Sequence, residues 1–152
     1  MSDAHRIFLS YAHSDAPAVR RIATALEGFA RAGIGDWQVW DDDAVRLGED
    51  WVDVLERGMR DSDVYVLVVS PQFLSSEFCM YELGFALKEQ RNRAATIIPI
   101  AIDETDVRVL PSYLRKFHVI DGRGLQAEQI AERVLERLGN PQAPVPRQHA
   151  VA

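Results

Sequence analysis

Val64-Tyr65-Val66-Leu67-Val68-Val69 is an unbroken apolar run dominated by β-branched residues, with Asp63 before it and Ser70-Pro71 after it. A run without polar alternation suits a strand covered on both faces, which is the environment of a central parallel strand. The stretch that follows, Ser75-Ser76-Glu77-Phe78-Cys79-Met80-Tyr81-Glu82-Leu83, opens a long helix. At helical spacing Ser75, Phe78, Glu82, Phe85 and Glu89 share one face. Cys79, Leu83, Ala86 and Leu87 form an apolar stripe about a quarter turn away. Glu82 then sits on the shoulder of the buried stripe, where a partly desolvated carboxylate could face a cleft. The plain alternative is a solvated helix carboxylate.

The same period-reading extends in both directions. Ile7-Phe8-Leu9, ending in Ser10-Tyr11, reads as a first strand, and Ser14 or Asp15 can cap the helix after it, with Pro17 in its first turn. Val19, Ile22, Ala23, Leu26, Phe29 and Ala30 carry that helix until Gly33 and Gly35 stop it. Trp37-Gln38-Val39-Trp40 is a second strand, followed by the acidic loop Asp41-Asp42-Asp43 and by a helix that Asp50 can cap and that carries Trp51, Val54, Leu55 and Met59. Ala95 to Ile102 is a fourth strand, although Pro99 lacks a ladder donor and by itself favours an edge position. Phe117-His118-Val119-Ile120 is a short fifth strand, and Ala127, Ile130, Ala131, Val134 and Leu138 mark a last amphipathic helix.

Strands alternating with helices imply a parallel sheet with right-handed crossovers. The expected fold is α/β, a flavodoxin-like three-layer sandwich whose five-stranded parallel sheet, ordered 2-1-3-4-5, is flanked by helices. Ligands in such sheets sit beyond the carboxyl ends of the strands, at the switch between strands one and three. Those ends carry Ser10-Tyr11 and Ser70-Pro71, and the helix holding Glu82 follows strand three. One domain over residues 1–138 is expected, with 139–152, rich in proline and free of acidic residues, as a disordered tail.

Composition narrows the function classes. With 17 basic against 23 acidic residues the net charge is −6, which argues against a nucleic-acid partner. A single cysteine, Cys79, excludes an internal disulfide and fits a reducing, cytoplasmic setting. The opening residues run into an apolar stretch too short for a signal peptide, and no run reaches the length of a membrane span. Three consecutive aspartates cannot all converge on one ion without a special loop, and His5, His13, His118 and Cys79 have no zinc spacing, so no metal is expected. Neither common glycine-rich nucleotide motif is present. A phospho-receiver domain shares this sheet but needs an acidic pair after strand one and an aspartate ending strand three, where this chain has Ser10-Tyr11-Ala12 and Ser70-Pro71-Gln72.

Three ordered boxes resemble those of a Toll/interleukin-1 receptor (TIR) domain of the bacterial type, from about Arg6 to Leu138. They are Ile7 to Asp15, the loop from Asp41 to Trp51 with Arg46-Leu47-Gly48-Glu49-Asp50-Trp51, and Ser70 to Leu83, similar to the family's serine-aromatic-cysteine-glutamate pattern. Two departures stand out: Phe78 replaces a common tryptophan, and the loop lacks the proline that animal adaptor members place before its glycine.

The resemblance implies an NAD+ glycohydrolase or cyclase, with Glu82 as the catalytic residue. NAD+ is then a substrate, no cofactor is needed, and the products are nicotinamide and ADP-ribose or a cyclic isomer. It also implies self-association or pairing with other TIR domains, and use in signalling or defence. Ser10 and Tyr11 would border the substrate, Ser75 and Phe78 would line the nicotinamide-ribose side, and Asp43, Leu47 and Gly48 would belong to a loop that gates the cleft or is completed by a neighbouring subunit. A strand-end turn is the plain reading of Ser10 and Tyr11, and core packing that of Phe78. Two other functions fit the same residues: a non-catalytic TIR interaction module, and an enzyme similar to nucleoside deoxyribosyltransferases.

Overall fold

A computed structural model describes residues 5–33, 37–41 and 51–139. Asp42, Asp43, Leu47, Gly48 and the rest of 42–50, Gly35 and residues 140–152 of the proposed 139–152 tail lie outside the described residues, while Gly139, its first residue, ends the last helix. Five strands form one wholly parallel sheet: β1 (His5–Ser10), β2 (Trp37–Trp40), β3 (Val64–Val69), β4 (Thr96–Ala101) and β5 (Ile120–Asp121), ordered β2-β1-β3-β4-β5. The helices are α1 (Ala16–Arg31), α2 (Trp51–Arg60), α3 (Pro71–Ser75), α4 (Glu77–Arg93), α5 (Ser112–Arg115) and α6 (Ala127–Gly139).

Strand alternation sorts the core into two layers. Ile7, Leu9 and Tyr11 of the first strand segment join Val64, Val66 and Val68 in packing under α1 and α6. Phe8, Tyr65, Leu67 and Val69 face the other way, against α2, α3, α4 and α5. Every residue of β3 is buried, as its unbroken apolar run requires.

Two local expectations are corrected, and the fourth strand stands in spite of its proline. Ser14 and Asp15 do not cap α1 with a side chain: Asp15 occupies the cap position, but its carboxylate bonds elsewhere. Pro99 lies in an interior strand, opposite Leu67, because β5 pairs with β4 only from Ile100 onward and asks nothing of the missing donor. The fifth strand begins at Ile120 rather than Phe117. Phe117 and His118 turn back on α5 through bonds to the carbonyls of Leu114 and Arg115, His118 adopts a φ of 60°, and Arg137 of α6 donates to both of their carbonyls.

Candidate active site

The switch point between β1 and β3 is built from both strand ends. Ser10 closes β1 opposite Leu67 and, between Phe8 and Ala12, faces the α4 layer. There its Oγ donates to Glu82 Oε1 at 2.5 Å, with the two residues 1% and 0% exposed. Glu82 is held there by the way its helix starts. Ser76 leaves the chain extended at φ −92°, ψ 121°, and its Oγ accepts from the Cys79 amide at 3.1 Å, so α4 begins afresh at Glu77. The buried side of α4 then comprises Cys79, Glu82, Leu83 and Ala86. These positions, at i, i+3, i+4 and i+7, form one stripe, so Glu82 lies within the buried face and not on its shoulder. A carboxylate taken wholly out of water is costly unless hydrogen-bonded, and the Ser10 hydroxyl supplies a donor without adding a charge.

A second buried acid bonds to the other strand end and was not foreseen from the sequence. Asp15, 7% exposed, accepts a bond from the Ser70 hydroxyl, and Ser70 Oγ in turn accepts from the Phe73 amide at 3.0 Å, capping α3. The signal was present: a serine followed by proline marks a helix start, and that hydroxyl has a proton left to give.

Among the described residues, the other expected site residues do not gather around Glu82. Tyr11 follows Ser10 and so points to the opposite layer, where it is buried against α1 and reaches Asp41 Oδ2 only through a long 3.4 Å contact. Ser75 belongs to α3, not α4; it is exposed and its hydroxyl bonds to the Pro71 carbonyl at 3.1 Å. The helical face that would unite it with Glu82 is broken at Ser76. Phe78, half-buried, packs on the cluster beneath α4, one turn before Glu82.

The flank of the site is a tie between α2 and α4. Tyr81, next to Glu82, donates its hydroxyl to Glu56 of α2, and that bond together with burial pushes its pKa up to about 12. Arg60 lies over the Phe85 ring at 5.8 Å. Arg93 donates to the carbonyls of Met59 and Ser62 and to the Tyr65 hydroxyl. Before α2, Trp40 ends β2 and packs on Phe8 with ring centroids 5.1 Å apart. It also lies so close to Gly58 that a Cβ there would meet its ring at 2.4 Å.

A cavity of about 250 Å³ opens elsewhere, between α1 and the turn after β5, with Ile22, Ile102, Leu125 and Ile130 among its walls and Arg21 and Arg123 at its rim. It belongs to the α1–α6 layer, across the sheet from Glu82. Among the described residues no three His, Cys, Asp or Glu side chains converge as metal ligands, and no helix is long and apolar enough to cross a membrane.

Comparison with known proteins agrees with this architecture. The family model described as TIR domain matches residues 7–138. An uncharacterized protein of Sinorhizobium fredii, y4lF, is 27% identical over 101 residues, 66% of this chain. The match spans about a third of that relative's length (31%). The crystal structure of the TIR domain of the Toll-related receptor TRR-2 from Hydra magnipapillata aligns with a TM-score of 0.57 at 20% identity, covering 89% of this chain and 94% of that one, a likeness of fold.

Proposed function

Because the chain belongs to the TIR domain family, we propose that it is a nucleosidase that cleaves the nicotinamide–ribose bond of NAD+, with Glu82 as its catalytic carboxylate. One observation carries the reading: Glu82 meets Ser10 at the carboxyl end of β1, the switch point where ligands of such sheets bind.

The chemistry explains why one acid can suffice. Hydrolysis of an ordinary glycoside needs a general acid because an alkoxide leaves poorly. Nicotinamide is already cationic when bound to ribose; it departs as a neutral molecule, taking the electron pair of the C–N bond. What remains is an oxocarbenium-like ribose. Glu82 stabilises that charge and accepts from the ribose hydroxyls, while Ser10 holds one of its oxygens in place. Water then attacks the anomeric carbon and loses a proton to solvent, giving ADP-ribose; attack by the substrate's own adenine gives a cyclic isomer. Phe78 offers a stacking face for the leaving ring. Tyr11, Ser75, Asp43, Leu47 and Gly48 remain proposals for the rim of the substrate site, with Tyr11 and Ser75 the weakest by position.

Glu82 has no exposed surface, so substrate reaches it only after a displacement. Self-association is the proposed source of that displacement, in a cytoplasmic signalling or defence role. The test is nicotinamide release from NAD+ by the purified chain across a range of protein concentrations, beside Glu82→Gln. Turnover should rise more steeply than protein concentration and fall at least ~100-fold in the variant. Undiminished turnover in Glu82→Gln removes the assignment.

The same burial favours a second reading, an interaction module in which Ser10–Glu82 is only a structural tie. Binding of a TIR partner with no NAD+ turnover at any concentration selects it.

A further inference from the structure

Asp15 is a buried acid for which neither helix capping nor the proposed chemistry accounts. It stands at the cap position of α1 yet makes no capping bond with its side chain. Its carboxylate instead crosses from the end of β1 to the end of β3 to accept from Ser70, itself 0% exposed. Ser10 and Glu82 make the reverse connection: a hydroxyl from the β1 side donates to an acid on the β3 side. The chain closes both ends of the figure. Ser10 leads to Asp15 through a short turn braced by the Asp15 amide on the Ala12 carbonyl at 2.8 Å. Ser70 leads to Glu82 through α3, capped by that same Ser70 hydroxyl, and through the Ser76 corner that starts α4. Two acids and two hydroxyls thus form a closed ring around the switch point, each strand end giving one donor and one acceptor.

We propose that Asp15 is a positioning residue: through Ser70 and the α3–α4 corner it fixes Glu82 against Ser10, and so sets the rate of nicotinamide release without changing substrate affinity. The kinetic half of this statement rests on the nucleosidase reading; the geometric half does not. With the start of α4 free to shift, Glu82 would move with it and lose its alignment with the anomeric carbon, and misplacement of a catalytic group lowers the rate of the chemical step. The ring needs an oxygen acceptor at residue 15 and not a charge, since Asn presents a carbonyl oxygen to the same hydroxyl.

The experiment uses the full chain with Asp15→Ala, Asp15→Asn and the pair Asp15→Asn/Ser70→Ala, which removes the bond without stranding a charge. Steady-state NAD+ turnover is measured per folded molecule, well below the melting temperature, and the Ser10 hydroxyl proton is followed by NMR. Asp15→Ala and the double variant should lower kcat about tenfold with KM within about twofold, whereas Asp15→Asn should keep kcat within about threefold. The Ser10 hydroxyl resonance should be lost or displaced in the first two and retained in the third. A kcat and a Ser10 resonance indifferent to Asp15→Ala overturn the proposal, as does an Asp15→Asn variant as impaired as Asp15→Ala. Should Asp15→Ala not fold, the double variant against Asp15→Asn decides the same question. If the wild-type chain releases no nicotinamide but the Ser10 resonance still follows residue 15, the ring stands and the nucleosidase reading falls.

Discussion

Replacing Ser10 by alanine removes one oxygen from the most buried polar contact at the switch point. The bond is 2.5 Å long and its two residues are 1% and 0% exposed, so no solvent takes the place of the lost donor. Hydrogen bonds to charged groups contribute about 1.5–3 kcal/mol, and a low-dielectric surrounding favours the upper part of that range. Ser10→Ala should therefore cost ~2–3 kcal/mol. At ~2–4 °C per kcal/mol for a domain of this size, the melting temperature falls by roughly 4–12 °C. Urea unfolding of the wild type, Ser10→Ala, Glu82→Met and the double variant isolates the pair from everything else either side chain touches. With m near 2 kcal/mol/M, Ser10→Ala should lower the urea midpoint by about 1 M. The cycle should return a coupling of at least ~1.5 kcal/mol. A coupling below ~0.5 kcal/mol would mean that the Glu82 carboxylate lies elsewhere in solution, and the geometry behind both the nucleosidase reading and the ring would be lost with it.

Gly58→Ala gains ~1 kcal/mol of helix propensity but forces a methyl into the Trp40 ring; overpacking of ~1–3 kcal/mol should prevail and lower the urea midpoint, and an unchanged midpoint would show that Trp40 moves aside freely. Alkaline pH should unfold the protein through its tyrosines. Burial pushes Tyr65, and the bond to Glu56 pushes Tyr81, from 10.0 up to about 12. A raised folded-state pKa means stability that is complete below pH 10 and lost as pH rises through 12, so the urea midpoint should decline across that window. Tyr81→Phe should decline less, and an identical decline refutes the Glu56 contact. Arg93→Met leaves the carbonyls of Met59 and Ser62 and the Tyr65 hydroxyl without their common donor, and should cost ~2–3 kcal/mol in urea unfolding; a loss below ~0.5 kcal/mol would show that α2 is not anchored there.

Where the chain is repetitive in physical terms, its sequence is transparent. The β3 run and the apolar spacings of α1 and α6 give strand and helix directly, because their periods differ and each is sustained over several residues. The site was harder because it depends on single residues at element ends. Projecting one continuous helix from Ser75 joined Ser75 to Glu82, a link that the Ser76 cap breaks; within α4 itself Cys79, Glu82, Leu83 and Ala86 stand at i, i+3, i+4 and i+7, so Glu82 belonged to the buried stripe wherever the helix began. Strict alternation along β1 already separates Tyr11 from Ser10, a consequence that motif matching passes over. Asp15 looked like a helix cap because Asp at a helix start usually is one, and only the position of the Ser70 hydroxyl across the switch point diverts it.

The choice of hydroxyls as partners for both acids bears on function. A guanidinium from Arg would have held either carboxylate more firmly, but on the nucleosidase reading it would also have cancelled the negative field that a cationic ribose requires. A serine at each strand end orients an acid without adding a countercharge, at the cost of a weaker bond. On the nucleosidase reading, substrate reaches the fully buried Glu82 only once the side chains covering it shift, and the Ser10 bond keeps the carboxylate in register while they do. Exchanging Ser10 for Lys, which fastens Glu82 with a countercharge, should abolish turnover even where the chain folds; turnover preserved in Ser10→Lys would break the link between an uncancelled charge and chemistry.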